Sequence, residues 1–384
     1  MAPPSVPLRP DQRTADPRAL NAAPGCPTPR PAASFLIAGP VWPRPAYRLR
    51  SPPHHHKARR RTPAMTYIAL EEAFIIPELF ARQPSSPQKI QVSDQYVKDW
   101  GRRLGDFEEY RLPDMDAHGI DIQVLSLSVP GIQADTDAGT AVDNARFAND
   151  FLAQTIARHP TRFRGFAALP LQDPAAAVTE LQRCVEQLGF KGALVNDHTQ
   201  GRYLDDPAYE ELWSALEELR VPLYLHPGSL PCDDWHVMRG RPEMYGASWS
   251  WQAETGGHAM RLIYAGVFDR HPAATLILGH LGEFLPFQRS RIDSRYRSLR
   301  VDEPLQRMPS QYFGSNILIT TSGVLAPEAV QAAVLTIGAD AVMFAVDYPY
   351  EVTAEAVASI EKADLPSEVK EKVAHLNARR VLRI

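Results

Sequence analysis

Eight short apolar runs recur between Met65 and the end of the chain, and stretches whose apolar residues repeat every three to four positions separate them. This alternation admits few folds. Parallel strands are buried on both faces and so read as near-continuous apolar runs, and each must be followed by a crossover, usually a helix, before the next strand can pair. The runs are Tyr67 to Leu70, Ile122 to Ser128, Phe163 to Leu169, Gly192 to Asn196, Pro222 to His226, Thr275 to Gly279, Ile317 to Thr321 and Val342 to Val346. The amphipathic stretches include Asn144 to Ala157, Ala176 to Leu188, Tyr209 to Leu219, His258 to Asp269 and Pro327 to Ile337. Eight such units predict an α/β fold of the (β/α)8 barrel class over residues 65–384. His159-Pro160 and His271-Pro272 predict helix ends, because a cation favours the helix C-terminus and proline stops the helix.

Residues 1–64 read differently. They hold fifteen of the 35 prolines and ten arginines, with Asp11 and Asp16 as the acidic residues, and show no periodicity. A disordered tail is expected, with Met65 as the true beginning of the protein; the proline density argues against an amphipathic targeting helix. The run His54-His55-His56 on this tail is not counted as a metal site. A net charge of -4 gives no general attraction to nucleic acid or anionic membrane, so small molecules are the expected partners. Cys26, Cys184 and Cys232 lack any paired metal spacing, and a reducing cytoplasm is the default compartment. No uninterrupted apolar stretch is long enough for an ordinary membrane helix.

In a barrel all strands end on one face, so polar residues at several strand ends converge although they are far apart in sequence. Four runs end this way: Leu70-Glu71, Leu225-His226, Gly279-His280 and Val346-Asp347. Burying carboxylates and imidazoles there is costly unless they are paired or metal-bound. Glu71, His226 and Asp347 offer two oxygens and one nitrogen, a set that suits a single divalent cation, zinc first, with manganese or magnesium also accommodated. His280 is left off the metal, because Glu283 three residues later can orient and charge its imidazole as an acid/base pair; a helix-start ion pair is the alternative reading of that spacing. Two long connections, Ile75 to Gly119 and Gly228 to Gln252, leave the same face. The second carries Trp235, Met238, Met244, Tyr245, Trp249 and Trp251, which would line an aromatic substrate site or a subunit interface.

With these residues in place, the chain resembles the metal-dependent decarboxylases of the amidohydrolase superfamily that act on hydroxybenzoates. The motifs that carry the resemblance are Ala69-Leu70-Glu71-Glu72-Ala73-Phe74, Ala168 to Pro174, Gly189 to Asn196, Tyr224-Leu225-His226-Pro227, Gly279-His280-Leu281-Gly282-Glu283, Ile319 to Gly323 and Val346-Asp347-Tyr348-Pro349. The resemblance implies Glu71, His226 and Asp347 as metal ligands, His280 with Glu283 as a catalytic pair, and Arg291 near the substrate carboxylate. It further implies that Asp347 carries the proton between phenol and ring carbon, with no organic cofactor. Many members have a ligand histidine where this chain has Ala73. That departure is similar to the subgroup with three protein ligands, which includes the 2,3-dihydroxybenzoate and 5-carboxyvanillate enzymes, and it frees a coordination position for a chelating substrate. A homodimer or homotetramer is expected. Two other readings of the same residues are a metal-dependent hydrolase or lactonase, since fold does not fix reaction, and a binding protein with a disused site.

Overall fold

The computed structural model describes residues 65–82, 90, 92–228 and 235–384; the expected tail and its histidine run lie outside them. All eight strands form, and all are parallel: β1 (Tyr67–Phe74), β2 (Ile120–Leu127), β3 (Phe163–Gly165), β4 (Ala193–Asn196), β5 (Leu223–His226), β6 (Leu276–Leu278), β7 (Ile317–Thr320) and β8 (Val342–Met343). They pair in sequence order as a three-stranded sheet, β1 to β3, and a five-stranded sheet, β4 to β8. The two sheets join at two seams, by the bridges Ala167↔Ala193 and Leu70↔Ala345, which close a (β/α)8 barrel.

Side-chain alternation along each strand sorts the core into two layers. Ile68, Leu70, Val124, Phe166, Leu194, Tyr224, Ile277, Leu318, Met343 and Ala345 form one cluster that fills the barrel, together with Ala378 and Leu382 of the C-terminal helix Asn377–Leu382. Their neighbours Ala69, Leu125, Val195, Leu225, Leu278 and Ile319 belong to the outer cluster, which contains Leu152, Leu181, Trp213, Leu262 and Val330 of the surrounding helices. The helices form where the periodicity predicts, with two differences. The stretch His258 to Asp269 lies in a helix that begins earlier, Ser250–Tyr264, and breaks at Gly266, whose φ of 66° is the left-handed conformation glycine favours. The long connection after β1 is not open loop, since it contains the helices Pro77–Phe80, Asp94–Leu104 and Arg111–His118. His159 and His271 both stand at helix C-termini, as the His-Pro pairs predict. Among the described residues no helix is long and apolar enough to cross a membrane.

A β-bulge in β1 decides the site. Ala69 pairs with Gln123 and Glu72 with Leu125, so three steps on β1 oppose two on β2. The extra residue reverses the alternation beyond it. Strict alternation from Ile68 and Leu70 would point Glu71 at the outer helices. The bulge, with φ 66° at Glu71, turns that carboxylate into the barrel mouth and sends Glu72 outward instead. Outside, Glu72 accepts from the Gln123 amide at 3.0 Å and from the Val346 N–H at 2.9 Å. The fully buried Arg111 donates to Gln123 Oε1 at 3.1 Å and to the Ala73 carbonyl at 2.5 Å, and its guanidinium lies over the Tyr348 ring. One buried network thus ties the bulge to the end of β8. Arg111→Leu leaves two buried acceptors without their donor, at about 1–3 kcal/mol each. A loss of about 3 kcal/mol in urea unfolding is the expected result.

Candidate metal centre at the barrel mouth

Glu71 is 2% exposed, and its two carboxylate oxygens are in opposite situations. Oε2 accepts hydrogen bonds from Tyr224 and Ser322, with Thr320 Oγ1 at 3.2 Å. Oε1 is buried and has no hydrogen-bond partner. It faces His226 Nε2 at 3.5 Å and His280 Nε2 at 3.3 Å. Asp347 Oδ2 lies 3.7 Å from the same His280 nitrogen. A buried, bare carboxylate oxygen surrounded by ring nitrogens and a second carboxylate is a costly arrangement for a protein alone and a suitable one for a divalent cation. The strand-end residues Glu71, His226, His280 and Asp347 are therefore brought together, as the barrel logic requires.

The two histidines differ in their outer nitrogens. His226, the last residue of β5, uses Nδ1 against Pro227 O at 2.7 Å and Asn196 Oδ1 at 2.9 Å. Both partners accept, so Nδ1 carries the proton and Nε2 presents a lone pair to Glu71. Burial holds this imidazole below the usual histidine range, in its neutral form, although Glu71 pulls the other way. His280 donates from Nδ1 to Glu283 Oε1 at 2.7 Å. Burial opposes its charge, but the carboxylates of Glu283 and Glu71 outweigh it and lift His280 well above the usual range. Burial likewise raises the Glu283 carboxyl, against the attraction of His280. The helix-start reading of His-x-x-Glu does not hold. From His280 to Phe284 every φ lies between 50° and 76°, a left-handed turn that brings Glu283 back to the ring.

Three of the four strand-end residues, Glu71, His280 and Asp347, have a φ of 50° to 72°, where non-glycine residues are strained and surrounding contacts must hold them. These three also form a donor group whose ligand atoms lie within 4.8 Å of one another, and the His280 and His226 Nε2 atoms stand at similar distances, 3.3 and 3.5 Å, from Glu71 Oε1. A second group, Asp197, His198 and Glu254, has the same spacing. There His198 Nδ1 accepts the Gly201 N–H at 3.1 Å, which leaves the proton on Nε2, so that nitrogen donates and does not ligate.

Ala73 lines the cavity beside the centre together with Glu71, Ser126, Leu127, Ser128, Leu194, Asn196, His226 and Tyr350. The Tyr350 hydroxyl lies 2.7 Å from Ser128 Oγ, its ring meets Trp100 edge-on at 5.1 Å, and burial pushes its phenol up to about 12. Arg291 stands apart. It is exposed on the helix Arg289–Tyr296, and among the described residues no hydrogen bond or ion pair joins it to the cluster. In the second long connection Met238 is buried and Trp249, 41% exposed, stacks on Phe284. Sequence reasoning missed Tyr224, Thr320, Ser322 and Asn196. For Tyr224 the signal was present: it precedes His226 by two residues, so both face the barrel.

The amidohydrolase family model matches residues 51–384. γ-Resorcylate decarboxylase of Rhizobium radiobacter is 42% identical over 325 residues, covering 83% of this chain and 98% of that protein. A solved structure of the dihydroxybenzoic acid decarboxylase of Polaromonas sp., with bound manganese and the inhibitor 2-nitroresorcinol, superposes with a TM-score of 0.76 at 38% identity, covering 83% of this chain and 97% of that one. 5-Carboxyvanillate decarboxylase of Sphingomonas paucimobilis gives a TM-score of 0.78 at 36% identity, with 84% and 100% covered.

One glycine tests whether the Glu71 carboxylate must sit where it does. A Cβ on Gly279 would lie 2.7 Å from both Glu71 oxygens. Its φ of -68° suits alanine, so the clash with Glu71 is the cost. Gly279→Ala is expected to retain the fold by circular dichroism and to weaken metal binding at least about tenfold in a chelator competition.

Proposed function

The chain belongs to the amidohydrolase family, and on that premise we propose how it carries out the metal-dependent, non-oxidative decarboxylation of a hydroxybenzoate-type acid: Glu71, His226 and Asp347 hold one divalent metal, and Asp347 also carries the proton. The bare, buried Oε1 of Glu71 is the observation that carries this reading. His226 is the better imidazole ligand because it is neutral with a free Nε2, whereas Glu283 keeps His280 charged. Two carboxylates and one imidazole suit manganese as well as zinc or magnesium. Manganese, the ion bound in the Polaromonas relative, is the one we assign first.

When bound, the ion would supply Lewis-acid pull on the substrate's phenolic oxygen and favour its ionised form. Asp347 accepts the phenolic proton as substrate binds and returns it to the ring carbon that bears the carboxylate. That carbon becomes tetrahedral, the carboxylate leaves as CO2, and the ring regains aromaticity. His280, charged through Glu283, stabilises the negative charge that shifts between ring oxygen and carboxylate. The resemblance gives the substrate's carboxylate to Arg291, but this chain sets that residue on an exposed helix face apart from the centre. The wall at Ala73, Ser128 and Tyr350 borders the position beside the centre where the ring and its second substituent would be placed. A 2,6-dihydroxybenzoate fits this description, with one hydroxyl at the centre and the other toward the Ser128–Tyr350 pair. The exposed Phe80, Tyr96 and Val97 also support a homo-oligomer, which sedimentation equilibrium tests.

Manganese-loaded enzyme is expected to release one CO2 per 2,6-dihydroxybenzoate consumed, to lose turnover with a chelator and to regain it with the ion. Asp347→Asn is expected to reduce kcat by about 10³-fold or more, within the range of a lost proton carrier. Full activity in that variant with metal still bound would remove Asp347 from the proton path. Hydrolysis of a lactone without CO2 release would point to the hydrolase reading instead.

A further inference from the structure

Proton bookkeeping around Glu71 Oε2 goes one step further than the choice of ligands. A carboxylate oxygen offers two lone-pair directions and each hydroxyl has one proton to give. Tyr224 and Ser322 both donate to Oε2. Thr320 Oγ1 is 3.2 Å from Oε2 and 3.1 Å from Ser322 Oγ, whose own proton goes to Glu71, but 2.7 Å from the Tyr224 oxygen. Its single proton is better spent on the phenol, which then aims its own proton at Glu71. Ser322 is fixed as well, because its oxygen accepts the backbone N–H of His280 at 3.0 Å. Both lone pairs of Oε2 are therefore taken by the protein, and neither lone pair of Oε1 is.

Resting on the metal-site reading above, we propose that Tyr224 and Ser322 are positioning residues that make Glu71 a one-oxygen ligand, and that Thr320 acts behind them by orienting Tyr224. A carboxylate free to turn can offer both oxygens and occupy two coordination positions. Here the second oxygen is withheld, so a position stays open for a substrate that brings two donors, its phenolic oxygen and its carboxylate. The same three hydroxyls hold a carboxylate whose backbone, at φ 66°, is strained. Inward strand alternation supplies them: Tyr224 shares the inner face with His226, and Thr320 continues the inner face of Leu318. This is the outer-partner role that orients and tunes metal ligands in general.

The test uses the whole chain and manganese alone as the probe. Affinity for Mn2+ is read by electron paramagnetic resonance for the wild type and for Tyr224→Phe, Ser322→Ala and Thr320→Val. Tyr224→Phe and Ser322→Ala are each expected to bind Mn2+ about 10- to 100-fold more weakly, and Thr320→Val only a few-fold more weakly, with the metal-free Tm of each close to wild type. In a crystal of the manganese-loaded Tyr224→Phe/Ser322→Ala double variant, both Glu71 oxygens are expected on the ion, against one in the wild type. Unchanged affinity in both single variants, or two-oxygen coordination already in the wild type, overturns the positioning role and leaves the metal site intact. Wild-type protein that takes up no Mn2+ overturns both. Tyr224→Phe and Ser322→Ala each remove a single oxygen atom, so either one decides the question if the other fails to fold.

Discussion

Everything at the barrel mouth depends on one carboxylate being pointed against the pleat. Glu71 would face the helices if β1 ran with regular alternation, and the site would then lack its central oxygen. The bulge turns it inward, and the Glu72, Gln123 and Arg111 network holds the bulge by engaging the next carboxylate on the opposite side of the strand. A pair of adjacent glutamates thus divides its labour, the first toward chemistry and the second toward structure. Either job alone would be poorly supported. The outward Glu72 also caps the Val346 N–H, so the same bond that steadies the bulge steadies the backbone just before Asp347.

Charge balance gives the centre its second constraint. Glu71, Glu283 and Asp347 converge with two imidazoles at low exposure, and Glu72 lies behind them. The protein relieves part of this crowding itself. Burial raises the Glu72 carboxyl well above its usual range and the Glu283 carboxyl above it, while Glu283 and Glu71 lift His280 against its own burial. Glu71 Oε1 receives no such relief from hydrogen bonding, and that residual imbalance is what a cation neutralises. Where the resemblance gives many members a ligand histidine this chain has Ala73, which lines the cavity beside the centre together with the polar side chains of Ser126, Ser128, Asn196 and Tyr350.

The fold was legible in the sequence because parallel strands buried on both faces leave an apolar signature that amphipathic helices interrupt. Strand positions follow from that; strand ends do not. β3 stops at Gly165 and β8 at Met343, although apolar residues continue past both, because pairing in a closing barrel is limited by its neighbours. The strand-end rule found Glu71, His226, His280 and Asp347 from position alone, yet it placed Glu71 at the mouth without the bulge that puts it there. Residues 280–284 were beyond reach for a physical reason. A run of left-handed φ values has no periodic sequence signature, and only Gly282 within it is a residue that prefers that region. The hydroxyls on Glu71 were hidden differently, as ordinary-looking members of strands whose function depends on a proton no sequence reveals. Arg291 is the opposite case, named by resemblance alone and set on an exposed helix face with nothing in the cluster to hold it.

The barrel's closure has a consequence for how occupancy and integrity are linked. β1 meets β8 at the bridge between Leu70 and Ala345, with a further backbone bond from the Ala73 N–H to the Tyr348 carbonyl at 2.9 Å, and Glu71 and Asp347 stand one and two residues past that bridge. Under the proposed ligand set, an ion held by both carboxylates would be a clasp between the first strand and the last. A clasp of this kind binds the closed ring and not the parted one, so it adds RT ln(1 + [L]/Kd) to the free energy of keeping the seam shut. Under that ligand set, loss of the ion would loosen the ring at the place where the chemistry occurs, so that the catalytic group and the fastener of the fold would be the same object.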